Sequence, residues 1–299
     1  MKSVIAIIIS YQPDFYTLSK LIDTITTQVS RIVLVDNSSD VNVTEFLTDI
    51  PCTKLHCIFL KSNLGIAAAQ NTGINWAKKQ NASDIILFDQ DSNPAQNLVE
   101  KLIISTKILT AHGVTVSATG PHLDIHRKIQ PSKFLNNHQL NNITYHIVPV
   151  TALISSGSLI SIRLFDDVGL MDESLFIDRV DTEWFLRANA KGYQAFGVPD
   201  AIMHHPLGEK TWKVWFGRWR YVPQHKPFRH YYMFRNSLLL YKRSYIPFRW
   251  KAYDLVNLIY LLVFCMTCMP ERWKRLKMIV LGIYDGLRGA SGKLECTCE

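Results

Sequence analysis

Along its first two hundred residues the chain repeats one pattern. A short, unbroken apolar run gives way to a longer stretch in which apolar positions recur at helical spacing. The runs at Val4–Ser10, Arg31–Val35, Leu55–Leu60, Ile85–Phe88 and Val114–Thr119 predict strands, and Asp14–Gln28, Gly65–Lys79 and Ala95–His112 predict helices. Strands with no polar alternation are buried on both faces, so their alternation with helices predicts a mainly parallel sheet covered on both sides. Residues 120–150 are polar and without period, and read as loops with an edge strand. Thr151–Ile162 is strand-like with Gly157 in its middle, Asp181–Lys191 reads as a helix stopped by Gly192, and Tyr193–Val198 reads as a short strand.

In such sheets ligands collect beyond the carboxyl ends of the strands. Those ends are Ser10-Tyr11-Gln12-Pro13, Asp36-Asn37-Ser38-Ser39, Lys61 through Gly65, and Asp89-Gln90-Asp91-Ser92, all polar. Alternate residues of an extended chain share a side, so Asp89 and Asp91 can face one point. A hard cation such as Mg²⁺ or Mn²⁺ takes oxygen ligands of this kind, typically one or two carboxylates plus substrate phosphates. The plainer reading is a turn with solvated charges. Asp36 can accept from a base or a ribose hydroxyl, or simply close an Asx turn.

Taken in order, several stretches resemble the motifs of inverting family 2 glycosyltransferases. They are Tyr11 with Pro13, Val35 through Ser39, Asn63 through Gly73, Asp89 through Ser92, Ser156-Gly157-Ser158 and Phe176 through Trp184, together spanning residues 4–208. Within that family, LFDQDS followed by FIDRVDTEW is most similar to bacterial rhamnosyltransferases, which build O-antigen and other cell-surface polysaccharide from dTDP-L-rhamnose. The resemblance implies a GT-A, Rossmann-like α/β fold with a mixed, mainly parallel sheet over residues 1–208. Residues 209–299 then form a helical, basic C-terminal extension. It implies donor contacts from Tyr11, Pro13, Asp36, Asn63, Gly65, Asp89 and Gln90, and Mg²⁺ or Mn²⁺ on Asp91, Asp89 and His205. Acceptor contacts fall to Gly157, Ser158, Asp178, Glu183 and Trp184. Asp181 matches the catalytic base, with Glu183 as the fallback, and Arg235 matches a diphosphate contact.

The chemistry agrees with these roles. Inversion at a sugar carbon needs a carboxylate to take the acceptor hydroxyl's proton, and closely spaced acids raise one another's pKa. Read without the resemblance, the same acids are a helix N-terminus stabilised by its dipole, His205 is a surface turn and Arg235 is helix packing. The same fold with a UDP-hexose donor is the nearest rival activity. A non-catalytic subunit that binds a nucleotide-sugar or glycan is the rival of another class. A nucleotidyltransferase is disfavoured because Ser10–Pro13 lacks a Gly-rich, basic loop.

Charge and composition bear on the C-terminal third. The chain has 299 residues and a net charge of +8, but residues 203–299 hold 17 Lys and Arg against 6 Asp and Glu, while residues 1–202 hold 16 against 19. Cations interleave with aromatics from Trp212 to Trp250, and the 15-residue apolar run Leu255–Met269 is short for a bilayer span, which needs about 20 residues. Over Arg272–Arg288 the residues Trp273, Leu276, Val280, Ile283 and Leu287 share one helical face. This is the pattern of an interfacial helix, and it predicts a cytoplasmic protein peripheral on the anionic inner face of a bacterial plasma membrane, beside a lipid-linked or oligosaccharide acceptor. A homodimer or self-burial is the other use of that surface; nucleic acid is not expected. The apolar N-terminal run lacks a small-residue cleavage site and reads as a strand, not a signal peptide. Cys265 and Cys268 lie in an apolar run, which favours packing over metal or redox chemistry.

Overall fold

The structure is a computed structural model describing residues 3–48, 53–121, 136–140, 143–204, 211–215, 219–223 and 225–295. The elements are β1 (Val4–Ser10), α1 (Phe15–Thr26), β2 (Arg31–Asp36), α2 (Val43–Thr48), β3 (Leu55–Phe59), α3 (Ile66–Lys79), β4 (Asp84–Asp89), β5 (Asn93–Pro94), α4 (Leu98–Ala111), β6 (Val116–Pro121), β7 (Asn136–Leu140), β8 (Ile143–Val150) and β9 (Leu159–Ser161). There follow α5 (Leu164–Asp167), α6 (Val180–Ala190), β10 (Gln194–Val198), β11 (Met203–His204), β12 (Thr211–Trp215), β13 (Trp219–Pro223), α7 (Pro227–Tyr241), α8 (Phe248–Thr267) and α9 (Arg272–Arg288). The chain divides into two compact units, residues 1–171 with 184–205, and residues 172–183 with 206–299.

The first unit is built on a nine-stranded sheet in the order β3-β2-β1-β4-β9-β6-β10-β8-β7. All seven residues of β1 are buried, as its unbroken apolar run predicts. It pairs in parallel with β2 on one side and β4 on the other. β9 runs antiparallel to both β4 and β6, and β8 antiparallel to both β10 and β7, so the sheet is mixed but mainly parallel. Ile8, Leu34, Ile86 and Phe88 pack with Leu18, Leu21 and Ile22 of α1 and Leu98 and Leu102 of α4. Asp14 caps α1, its carboxylate accepting from Thr17 N at 2.8 Å.

The structure shortens two predicted elements. α4 begins at Leu98, since Ala95 N donates instead to Ile202 O at 3.0 Å, continuing the antiparallel pairing of Asn93 and Pro94 with His204 and Met203. Only Leu159–Ser161 of the run Thr151–Ile162 is strand. Its preceding residues turn at Gly157, whose φ is +81° and where a Cβ would stand 2.7 Å from Pro121 Cγ.

In the second unit α9 lies against α7 at backbone distance. A Cβ on Gly282 would stand 2.4 Å from the Tyr231 carbonyl oxygen, and one on Gly286 would stand 3.0 Å from that of Arg235. Phe234, Leu258, Phe264, Cys265, Met269 and Ile279 form this unit's core. Cys265 is packed there, its Sγ 3.7 Å from Met269 Sδ, and neither it nor Cys268 is bridged. The extension is not helical throughout, since β12 and β13 form an antiparallel hairpin. α8 reaches back to Phe248, which makes it 20 residues and, by length and composition, able to cross a membrane.

Candidate active site

Parallel register brings the predicted strand ends to one edge of the first unit: Ser10 lies beside Asp36, and Ile9 beside Asp89. Asp36 is buried and accepts from Ser10 Oγ at 2.8 Å, Ser39 N at 2.8 Å and Ser39 Oγ at 2.6 Å. It therefore closes the loop after β2, and its carboxylate keeps acceptor capacity beyond these bonds. The next loop is tied to this one. Asn37 Nδ2 donates to Asn63 Oδ1 at 3.1 Å, Leu64 N to Asn37 Oδ1 at 3.0 Å and Gly65 N to Asn63 Oδ1 at 3.0 Å. Gly65 stands at the entry to α3. Pro13 is buried, while the Tyr11 ring is about half exposed.

At the end of β4 the extended-chain argument stops at Asp89. Gln90 and Asp91 lie in a turn, with Ser92 N donating to Asp89 O at 3.1 Å. The Gln90 side chain is engaged with protein at both ends. Its Oε1 accepts from Tyr11 N at 2.7 Å and its Nε2 donates to Tyr11 O at 3.1 Å, so it joins the tips of β4 and β1. The Ser156-Gly157-Ser158 turn packs behind. Ser156 Oγ lies 2.6 Å from Ser92 Oγ, Gly157 N donates to Leu87 O at 2.7 Å, and the Ser158 hydroxyl donates to Ile154 O at 2.6 Å. His205 lies outside the described residues, and among those that are described no group of three His, Cys, Asp or Glu gathers in one place. Two half-buried carboxylates, Asp89 and Asp91, are an oxygen donor set that fits Mg²⁺ or Mn²⁺ shared with a substrate's phosphates.

The remaining acids belong to the second unit. Phe176, Asp178 and Arg179 all have left-handed backbone, with φ of 63°, 64° and 64°. Side chains at such angles cost about 1–3 kcal/mol each and persist only where surroundings enforce them. Here Arg229 grips Asp178 with two prongs, Nη2 to Oδ1 at 2.5 Å and Nε to Oδ2 at 3.1 Å. Arg179 pairs with Asp254 at 2.5 Å. Asn236 Nδ2 donates to the carbonyls of Leu175, Ile177 and Asp178 at 2.8–2.9 Å. Asp181 follows in the first turn of α6, part exposed, accepting from Thr182 N at 2.7 Å.

Four further residues expected to meet ligand also carry structural bonds. Glu183 is 0% exposed and takes Tyr245 OH at 2.5 Å and Arg243 Nη1 at 3.1 Å. Burial, then the bond to Glu183, pushes Tyr245 up to about 12, so it stays an O–H donor. Trp184 is fully enclosed and donates Nε1–H to Gly169 O at 2.9 Å. Arg235 is 1% exposed, its guanidinium given to the carbonyls of Gly292 at 2.6 Å and Leu175 at 3.0 Å. Asp178 is held by Arg229. Reading along the sequence missed Arg229, a lone cation near the start of α7, and took the pair Arg235-Asn236 for a diphosphate or acceptor contact or for helix packing.

A mainly parallel α/β sheet with its polar loops gathered at one mouth, an acidic turn after the fourth strand and a buried Asp on the second defines a nucleotide-sugar transferase of the GT-A type. The chain belongs to glycosyl transferase family 2, whose model matches residues 6–163. It is 32% identical over 295 residues to the dTDP-rhamnosyl transferase RfbF of Shigella flexneri, covering 97% of each chain. Among solved structures it resembles S. aureus TarS 1-349 in complex with UDP-GlcNAc, with a TM-score of 0.55 at 13% identity, covering 97% of this chain and 82% of that one. It also resembles GalNAc-T7 with UDP, GalNAc and Mn²⁺, with a TM-score of 0.54 at 14% identity, over 69% of this chain and 44% of that one. At such identities the two likenesses speak for the fold alone.

Proposed function

We propose that the chain transfers L-rhamnose from dTDP-L-rhamnose, with inversion, to a hydroxyl of a lipid-linked glycan in cell-surface polysaccharide synthesis. The observation that carries this reading is the 32% identity to dTDP-rhamnosyl transferase RfbF across nearly the whole of both chains. Asp181 takes the acceptor hydroxyl's proton as its oxygen attacks the anomeric carbon. The bond from that carbon to the diphosphate breaks on the opposite side, and dTDP leaves. Asp36, Asn63, Gly65 and Tyr11 face the donor. Asp89, Asp91 and His205 would hold a divalent cation, which would supply charge neutralisation for the leaving diphosphate.

The second unit, in the same reading, docks on an anionic bilayer. α8 exposes Phe248, Tyr253, Ile259, Tyr260 and Val263, and α9 exposes Trp273, Val280, Tyr284 and Leu287. Arg249, Arg272, Lys274, Lys277 and Arg288 are exposed on the same two helices. A cleft of about 570 Å³ lined by Lys226, Lys274 and Lys277, with Phe228, Met278 and Glu271, the last paired with Lys274 at 2.7 Å, keeps an excess of positive charge for anionic headgroups. Apolar faces rimmed by cations suit such a membrane, whereas two copies of so basic a surface repel each other.

The test is nucleoside-diphosphate release from dTDP-rhamnose, UDP-glucose, UDP-galactose and GDP-mannose, with solubilised lipid-linked glycan as acceptor, with and without EDTA. Release is expected from dTDP-rhamnose, suppressed by EDTA and restored by Mg²⁺ or Mn²⁺. Preference for a UDP-hexose overturns the donor, and no release from any donor leaves a binding subunit.

A further inference from the structure

The pair Arg235-Asn236 is enclosed in the second unit, at 1% and 0% exposure. Burying two such polar groups is costly unless each finds partners, and an apolar pair would fill the same volume. What these two do is hold backbone. The Asn236 amide points one way only, because Arg235 Nε donates to its Oδ1 at 2.9 Å. Its NH₂ is thereby turned to the carbonyls of Leu175 at 2.9 Å, Ile177 at 2.8 Å and Asp178 at 2.9 Å. Arg235 reaches the same Leu175 carbonyl, and Arg229 fixes the Asp178 side chain. Asp178 is itself left-handed, and the segment so gripped also carries the left-handed Phe176 and Arg179. The last of these launches α6, its carbonyl accepting from Glu183 N at 2.8 Å. Asp181 lies between the two ends of that bond.

We infer that Asn236, braced by Arg235, is a positioning residue for Asp181: it holds residues 175–179 in a conformation they would not keep unaided and so fixes where the first turn of α6 presents the carboxylate. The inference rests on Asp181 being the base. A carboxylate in place of the amide has the same shape but no proton to donate, and sets oxygens against three carbonyl oxygens.

The experiment compares Asn236→Ala and Asn236→Asp with Phe234→Leu, a substitution in the α7 core away from those carbonyls, and with Asp181→Asn. Three quantities are read: hydrogen exchange of the 174–182 peptide, thermal midpoint, and kcat with donor KM for dTDP release from dTDP-rhamnose. Both Asn236 variants are expected to speed exchange in that peptide and lower kcat by about a hundredfold, the cost of a misplaced reacting group, with donor KM within about twofold. Phe234→Leu is expected to lower the midpoint comparably while keeping kcat. Unchanged exchange in Asn236→Ala overturns the inference whatever the activity does. So does a kcat loss that Phe234→Leu shares in proportion to its loss of stability. Should Asp181→Asn retain turnover, the base assignment falls, while the exchange result still reports whether Asn236 holds the loop.

Discussion

His230 is wholly enclosed, with Arg275 Nη1 3.4 Å from its Nδ1. Burial above all, then the positive charge of Arg275 and the neighbouring His225, pushes its pKa down to about 4 from 6.5. Between those values the unfolded chain binds a proton that the folded one refuses, so stability rises with pH across that window. The contribution is fully present above about 6.5 and lost as pH falls toward 4, amounting to about 3 kcal/mol. Urea unfolding from pH 7 to pH 4 is expected to show this loss, and His230→Gln to flatten it. An equal slope in the variant would assign the acid sensitivity to other groups. The same low-dielectric logic explains why individual roles were hard to read from sequence. Glu183, Trp184 and Arg235 sit in motifs that resemble a sugar-transfer site, yet whether a charged residue lines a cleft or ties off buried carbonyls depends on what the fold stacks around it.

At the scale of elements, α7 and α9 approach at backbone distance. Gly282→Ala would drive a methyl onto the Tyr231 carbonyl at 2.4 Å, and because that obstacle is backbone, the helices themselves must part. A loss of about 1–3 kcal/mol is expected, measured as a fall in the unfolding midpoint. The sheet was the most legible part. Buried parallel strands announce themselves as unbroken apolar runs, and β1, β2 and β4 fall within a residue or so of their predicted limits. Their polar ends could be gathered at one edge for the same reason. Less legible were elements fixed by distant partners. β5 exists only because β11 pairs with it, and Thr151–Ile162 has strand composition but turns at Gly157. The aromatic-rich stretch around Trp212 gave no sign of a hairpin.

Across the whole molecule, charge and uncovered apolar surface coincide in the C-terminal third. Flotation with vesicles is expected to carry the protein upward when they contain an anionic lipid and not when they are neutral, with the effect weakened by salt. The double substitution Ile259→Asp with Val263→Asp is expected to abolish flotation without lowering the unfolding midpoint, since both side chains are about half exposed. Flotation unchanged by that pair would show that α8 does not touch lipid. The division of the chain has one more consequence. Residues 172–183 are threaded through the middle of the sequence but fold with the C-terminal third. Shortening the polypeptide at residue 205, the obvious way to obtain a well-behaved soluble enzyme, would therefore remove more than a tether. It would strip the carbonyls of Leu175, Ile177 and Asp178 of their amide, leave Asp178 without its arginine, and release the proposed acid from its mount.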